Sequence, residues 1–425
     1  MLVGTGQRDA VRRVTGLARS TPGRLTLVAL LLIAVSLTAG ALSVRSVERR
    51  SADLETLAER SEPLAYAAQE VYRAMADADA TAASAFLSGG VESPALRARY
   101  QDDIAKAAVA LSFATTETVR SPDLSAALTT LAGQLPVYTG LVETARTHNR
   151  QGNPVGAAYL REASALMRDR LLPAAEAVYR AESASVVHGL RSAGLFPYVE
   201  LVLGLAALLV LVFAQRFLTR RTNRVFNVGL VAATLATTVS LLWVVTASVV
   251  VMIRVTDAED HGAYRVDTLA QARIAMLTAR GDEMLTLVSR GSGAGYEKRF
   301  TQYDTRLEGL LDNSDSWPTV RPELLDQHER WRTAHKAVRD ADDRGEYTQA
   351  VAVALSDGPD GAARAFDALD ASLVEGLHRT RTAENDMIAS ARGALTGAAP
   401  VAALMAVLAA VMSAAGLWQR LKEYR

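Results

Sequence analysis

The chain has 425 residues, with 46 basic and 46 acidic side chains that give a formal net charge of zero; half of the residues are hydrophobic, 6% are aromatic and none is cysteine. The lack of cysteine excludes disulfides, thiolate metal sites and cysteine nucleophiles. The alanine- and leucine-rich apolar fraction favours helices.

Residues 1–24 form a basic tail, with Arg8, Arg12, Arg13, Arg19 and Arg24 against Asp9. Leu25–Val44 carries no charge, and about 20 apolar residues suffice for a spanning helix, so residues 25–45 are assigned as the first transmembrane helix. A cleaved signal peptide is the rival reading, with Ala39-Gly40-Ala41 as the cut. The apolar run exceeds the usual h-region of about 7–15 residues.

Residues 46–195 read as an extracytoplasmic four-helix bundle. Leu54, Leu57, Ser61, Leu64, Ala68, Val71, Met75, Ala78, Ala82 and Ala85 alternate spacings of three and four, which is the seam of a packed helix. Pro63 lies beside that seam and marks a kink or a helix start. Tyr100, Ile104, Ala107, Leu111 and Ala114 share a face of the next helix. Breaks fall at Gly89-Gly90, Ser121-Pro122 and Gly152-Asn153-Pro154. Tyr66, Tyr72 and Arg73 are candidate ligand contacts, with packing and a solvated charge as the alternative.

Residues 196–215 form the second span, which contains one acid, Glu200. An intramembrane acid can mark a proton or substrate path. Its place within about one turn of the outer interface favours a carboxylate that reaches water. Residues 216–224 are a basic turn with Arg216, Arg220, Arg221 and Arg224, the proposed contact for an acidic cytoplasmic partner. Residues 225–253 form the third span, residues 254–392 the second bundle, residues 393–419 the fourth span and residues 420–425 a short basic tail. In the second bundle Ala270, Ile274, Leu277, Gly281, Met284 and Val288 make the first seam, and Tyr296, Phe300, Tyr303, Leu307 and Leu310 the next. Its breaks fall at Gly291–Gly295, Trp317-Pro318 and Gly345, with a further turn at Asp357–Gly361.

The three arginine-rich flanks place both termini in the cytoplasm by the positive-inside rule and both large blocks outside. Residues 46–195 carry 15 basic and 18 acidic side chains, and residues 254–395 carry 18 and 25, so neither block offers a basic surface to nucleic acid. The order span–domain–span occurs twice. Phe86–Gly90 matches Leu287–Gly291, and Arg99-Tyr100 matches Arg299-Phe300, at offsets of 201 and 200. Asn149–Asn153 resembles Asp342–Glu346. Landmarks in a constant order indicate an internal repeat. The fold class is therefore all-α: an integral membrane protein with four spans and two tandem helical bundles.

There is no phosphate loop, no His-Glu-x-x-His and no Gly-x-Ser-x-Gly, so neither a catalytic nor a cofactor site is assigned. His328 and His335 lie seven apart and read as exposed polar residues rather than metal ligands, because no carboxylate completes a pattern. Asp102-Asp103 and Asp342-Asp343 read as solvated or capping pairs. The cytoplasmic parts are too short to hold a core. The protein is thus expected to be no enzyme, and its signal must pass to separate proteins. A structural scaffold or accessory subunit is the alternative; a transporter is disfavoured by the lone acid and the unbroken spans.

Each half resembles the four-helix ligand-sensing module of chemoreceptors and sensor kinases. The whole chain resembles the GlnX-type membrane proteins of actinobacteria in length, spans and arginine-rich flanks, and only four of its basic residues, Lys106, Lys298, Lys336 and Lys422, are lysine, as in high-GC genomes. The resemblance implies a signal relay for amino-acid supply: an extracytoplasmic solute-binding lipoprotein as one partner, and a cytoplasmic serine/threonine kinase of the PknG type as the other.

Overall fold

The computed structural model describes residues 21–90, 92–117, 122–222, 227–312 and 321–422. Arg8, Arg12, Arg13, Arg19, Ser121, Arg224, Trp317-Pro318 and Arg425 lie outside the described residues. The described residues are helical, with no strand among them.

The first half runs α1 (Thr21–Thr56), α2 (Glu62–Leu87), α3 (Pro94–Glu117), α4 (Pro122–Arg150), α5 (Val155–Leu166), α6 (Leu172–Ala193) and α7 (Tyr198–Thr222). The second runs α8 (Val228–Ala258), α9 (Tyr264–Val288), α10 (Ala294–Leu311), α11 (Arg321–Asp343), α12 (Tyr347–Leu355), α13 (Ala362–Leu395) and α14 (Ala398–Lys422). The glycine breaks expected after the first and third helices of each bundle are present. Gly90 and Gly291 end equivalent helices with φ of +52° and +79°, a region that costs glycine little. Arg290 adopts φ +35° where the first half has Gly89, and its guanidinium lies 4.7 Å from the Tyr347 ring.

Three wide π-turns were not legible as such: Leu57–Ser61, Met167–Leu171 and Glu259–Ala263. Two have a clear cause. Pro63 and Pro173 follow closely, and a helical proline clashes with the carbonyl four residues earlier. Those carbonyls belong to Glu59 and Asp169, inside the turns. One extra residue per turn relieves the clash. The third turn has no proline; its Gly262 lies tight against the Glu384 side chain, which a Cβ would meet at 2.9 Å.

The chain divides into two compact units. The apolar unit comprises residues 1–56, 191–256 and 387–425, and the charged unit residues 57–190 and 257–386. Among the described residues four helical stretches, Gly23–Leu87, Val155–Arg220, Val228–Ala258 and Ala362–Gln419, contain windows long and apolar enough to cross a membrane. Within the apolar unit, Leu32, Leu211, Leu230, Ala233, Ala409 and Leu417 are buried together, while Leu30, Leu209, Phe213, Leu235, Leu242, Leu404 and Trp418 stay exposed. A surface this apolar is compatible with a multi-pass membrane protein. Small residues bring the helices close. A Cβ on Gly40 would collide with Ala406, and one on Gly229 would come 2.5 Å from the Met412 carbonyl oxygen. The Asn227 amide donates to the Gly416 carbonyl at 2.8 Å.

The charged unit differs from two separate bundles. Buried residues of both segments form one continuous core. The reason lies in α2 and α9. Every residue from Arg73 to Ala85 is buried, as is every residue from Ile274 to Val288. A helix buried on all sides is central, not peripheral. α2 and α9 pack against each other, with α3 beside α2 and α10 beside α9. The crossing is close because Gly281 faces Ala80.

Candidate functional site

Central burial forces the charged residues of α2 and α9 into ion-pair networks, since an isolated buried charge is costly. Arg73, expected as a solvated charge, is buried. It donates to both oxygens of Glu70 at 2.6 and 3.0 Å, and to Asp77 and Asp103 at 3.3 Å each. Asp103 is accordingly no surface acid. Burial and the neighbouring Asp77 push its carboxyl up to about 7 against the pull of Arg73. Arg99 links Asp77 on α2 to Asp367 on α13, at 2.9 and 3.1 Å, and so joins the two segments. Its counterpart in the repeat, Arg299, holds Asp282 on α9 at 2.8 Å.

Between α2 and α9 lies a second acidic pair. Asp79 accepts from Ser164 at 2.8 Å and Tyr138 at 3.3 Å. Burial raises its carboxyl, opposed first by Arg168. Arg168 sits on the π-turn Met167–Leu171 and lines a small cavity together with Asp79 and Asp282.

The two histidines are a correction. His328 and His335 are buried, not exposed, and carboxylates do meet them. His328 Nε2 lies 2.6 Å from Asp304, while His335 bonds Glu283 at 2.8 Å through Nδ1 and Glu297 at 3.2 Å through Nε2. Burial alone would lower the His335 imidazole, but its bonds to Glu283 and Glu297 prevail and raise it to about 9. Among the described residues no group of three or more His, Asp and Glu side chains is placed to hold a metal ion. His335 is held as a cation between its two carboxylate partners.

A narrow solvent-open cleft is shared by both segments. α2 supplies Tyr72, and α6 supplies Glu176, Tyr179 and Arg180. The opposite wall is Gln271, Ile274 and Ala275 of α9 with Tyr303 and Arg306 of α10. The Tyr179 hydroxyl donates to Asp267 at 2.5 Å, and the Gln271 amide donates to the same carboxylate at 2.7 Å. Arg306 donates to the Gln271 carbonyl at 3.1 Å. Of the three residues singled out as ligand contacts, Tyr72 alone lines this cleft. Tyr66 is exposed beneath Arg381, whose guanidinium lies 4.3 Å from its ring. Tyr303 read as a seam residue, and Arg306 left no periodic signal.

Glu200 in the apolar unit is a further correction. It is buried, only 5% exposed. It accepts from the Ser46 hydroxyl, and Arg50 lies 3.8 Å away. It borders a small pocket between four helices, lined also by Ser36, Gly40, Thr237 and Ala406. Of the basic turn, Arg216 and Arg220 are exposed near the end of α7. Nothing is described for the Arg221 side chain or for Arg224.

Residues 53–191 match the family model described as an actinobacterial sensor domain. The match supports a sensor protein of actinobacteria. It covers the whole first segment of the charged unit, Leu57–Leu190. No curated protein and no solved structure matches the chain.

Proposed function

We propose that the chain is a non-enzymatic transmembrane sensor, with the charged unit outside the membrane and both termini in the cytoplasm. The carrying observation is the sensor-domain match over residues 53–191. The repeated order of helices supports the second segment as a copy of the first that takes the place of a partner domain. The four apolar helices are the membrane part, oriented by the arginine flanks. The cue is amino-acid supply, received directly or from a solute-binding lipoprotein, as the GlnX-type resemblance implies. The output passes through Arg216, Arg220, Arg221 and Arg224 to a separate cytoplasmic effector such as a serine/threonine kinase. Shifts of about 1–2 Å between packed helices are enough to carry such a message.

The lack of native cysteine makes cross-linking a clean test. Ser36→Cys and Ala409→Cys line one space in the apolar unit. In cells starved of, then supplied with, aspartate, glutamate and glutamine, the disulfide yield should change. Equal yields in both conditions, with intact membrane insertion, would leave a static scaffold as the better reading.

A further inference from the structure

The cleft between the two segments holds hydrogen-bond donors that the protein itself does not use. The hydroxyls of Tyr72 and Tyr303 have no hydrogen-bond partner among the described residues, and burial keeps both phenols protonated by raising them further from neutrality. Arg306 meets a neutral amide oxygen, that of Gln271, and no carboxylate among the described residues. By contrast the acid in the cleft, Glu176, is already paired with Arg180. The surplus is therefore one guanidinium and two phenolic donors, over a floor made apolar by Ile274 and Ala275. A group that only accepts and carries negative charge completes such a set best. A single surplus cation and an apolar floor suit a monoanion with a carbon body better than a phosphate dianion.

We propose that this cleft binds a small organic carboxylate, its oxygens received by Arg306, Tyr72 and Tyr303 and its carbon body resting on Ile274 and Ala275. Tyr72 belongs to the first segment, whereas Tyr303 and Arg306 belong to the second. A bound carboxylate therefore ties the two segments together at the level of α2 and α10. This names a ligand class for the sensor reading above. Its test uses the purified full chain and needs no signalling, so it can fail while the cross-link response stands, and the reverse.

The experiment is isothermal titration of the full chain in nanodiscs with isovalerate and with phenylacetate. Inorganic phosphate and the neutral isostere 2-phenylethanol serve as controls. Saturable binding is expected for at least one carboxylate, with weaker or no binding of both controls. Arg306→Gln should weaken it roughly tenfold or more, the usual scale of a charge-assisted pair. Tyr303→Phe should weaken it about threefold to tenfold. Arg306 is exposed, so its variant should keep the parent melting curve, which separates lost binding from lost fold. The proposal is overturned if neither carboxylate binds saturably, if Arg306→Gln binds as tightly as the parent, or if phosphate or the alcohol binds as tightly as the carboxylates.

Discussion

His335 stacks on Phe300 at 3.5 Å between ring centroids and bonds Glu283 and Glu297. Its folded-state value of about 9 lies above the ordinary 6.5. The folded protein thus holds this proton more tightly than the unfolded chain, so the stabilisation is complete below pH 6.5 and is lost as pH rises to 9. Glu384 acts with the same sign for a different reason. Burial, with Glu62 adding to it and Arg381 opposing it, raises its carboxyl from 4.5 to about 7. The folded state again binds the extra proton, so stability falls as pH rises from 4.5 to 7. Each effect is at most about 3 kcal/mol. Thermal melts should therefore fall steadily from pH 5 to pH 9. Glu384→Gln should reduce the slope of the lower half of that curve, where Asp103, also raised to about 7, keeps contributing with the same sign, and His335→Gln should reduce the slope of the upper half. Melts that climb over this range would reverse the sign and remove both assignments.

At the scale of elements, the α2–α9 crossing decides what substitutions cost. A Cβ at Gly281 would lie 3.9 Å from the Ala80 Cα and 4.0 Å from its Cβ. That is ordinary contact, so Gly281→Ala fits and gains helix propensity of about 0.5–1 kcal/mol. Gly281→Leu does not fit, and forced overpacking costs about 1–3 kcal/mol. Thermal unfolding of the two variants should bracket the parent, the alanine above and the leucine below. A leucine variant as stable as the parent contradicts so close a crossing. The same pair of helices shows what sequence reading reaches. Three-and-four spacing located both helices, and Gly89-Gly90 and Gly291 located their ends. Periodicity weighs one face at a time, so it missed that α2 and α9 are buried all round. It therefore read Arg73, Asp103 and His335 as surface residues. The cleft was missed for a related reason: Tyr72 and Tyr303 are far apart in the chain, and packing between the segments brings them together.

For the whole molecule, the shared core makes a claim about the part that the sensor-domain match covers. Residues 53–191 contain α2 but not α9. Expressed alone, that fragment uncovers the face of α2 that Gly281 and its neighbours fill, and removes Asp367 from Arg99. The exposed strip is alanine-rich, and a second copy of the same helix is the partner of nearest shape. The fragment is therefore expected to self-associate, and to melt below the charged unit of the full chain. Multi-angle light scattering and circular dichroism on the fragment and on the full chain in detergent check both points. A fragment that remains monomeric and melts with the full chain would mean that the segments fold independently. In that case α9 would be a neighbour of α2 rather than part of its core, and the cleft between them would lose the rigid walls that carboxylate binding requires.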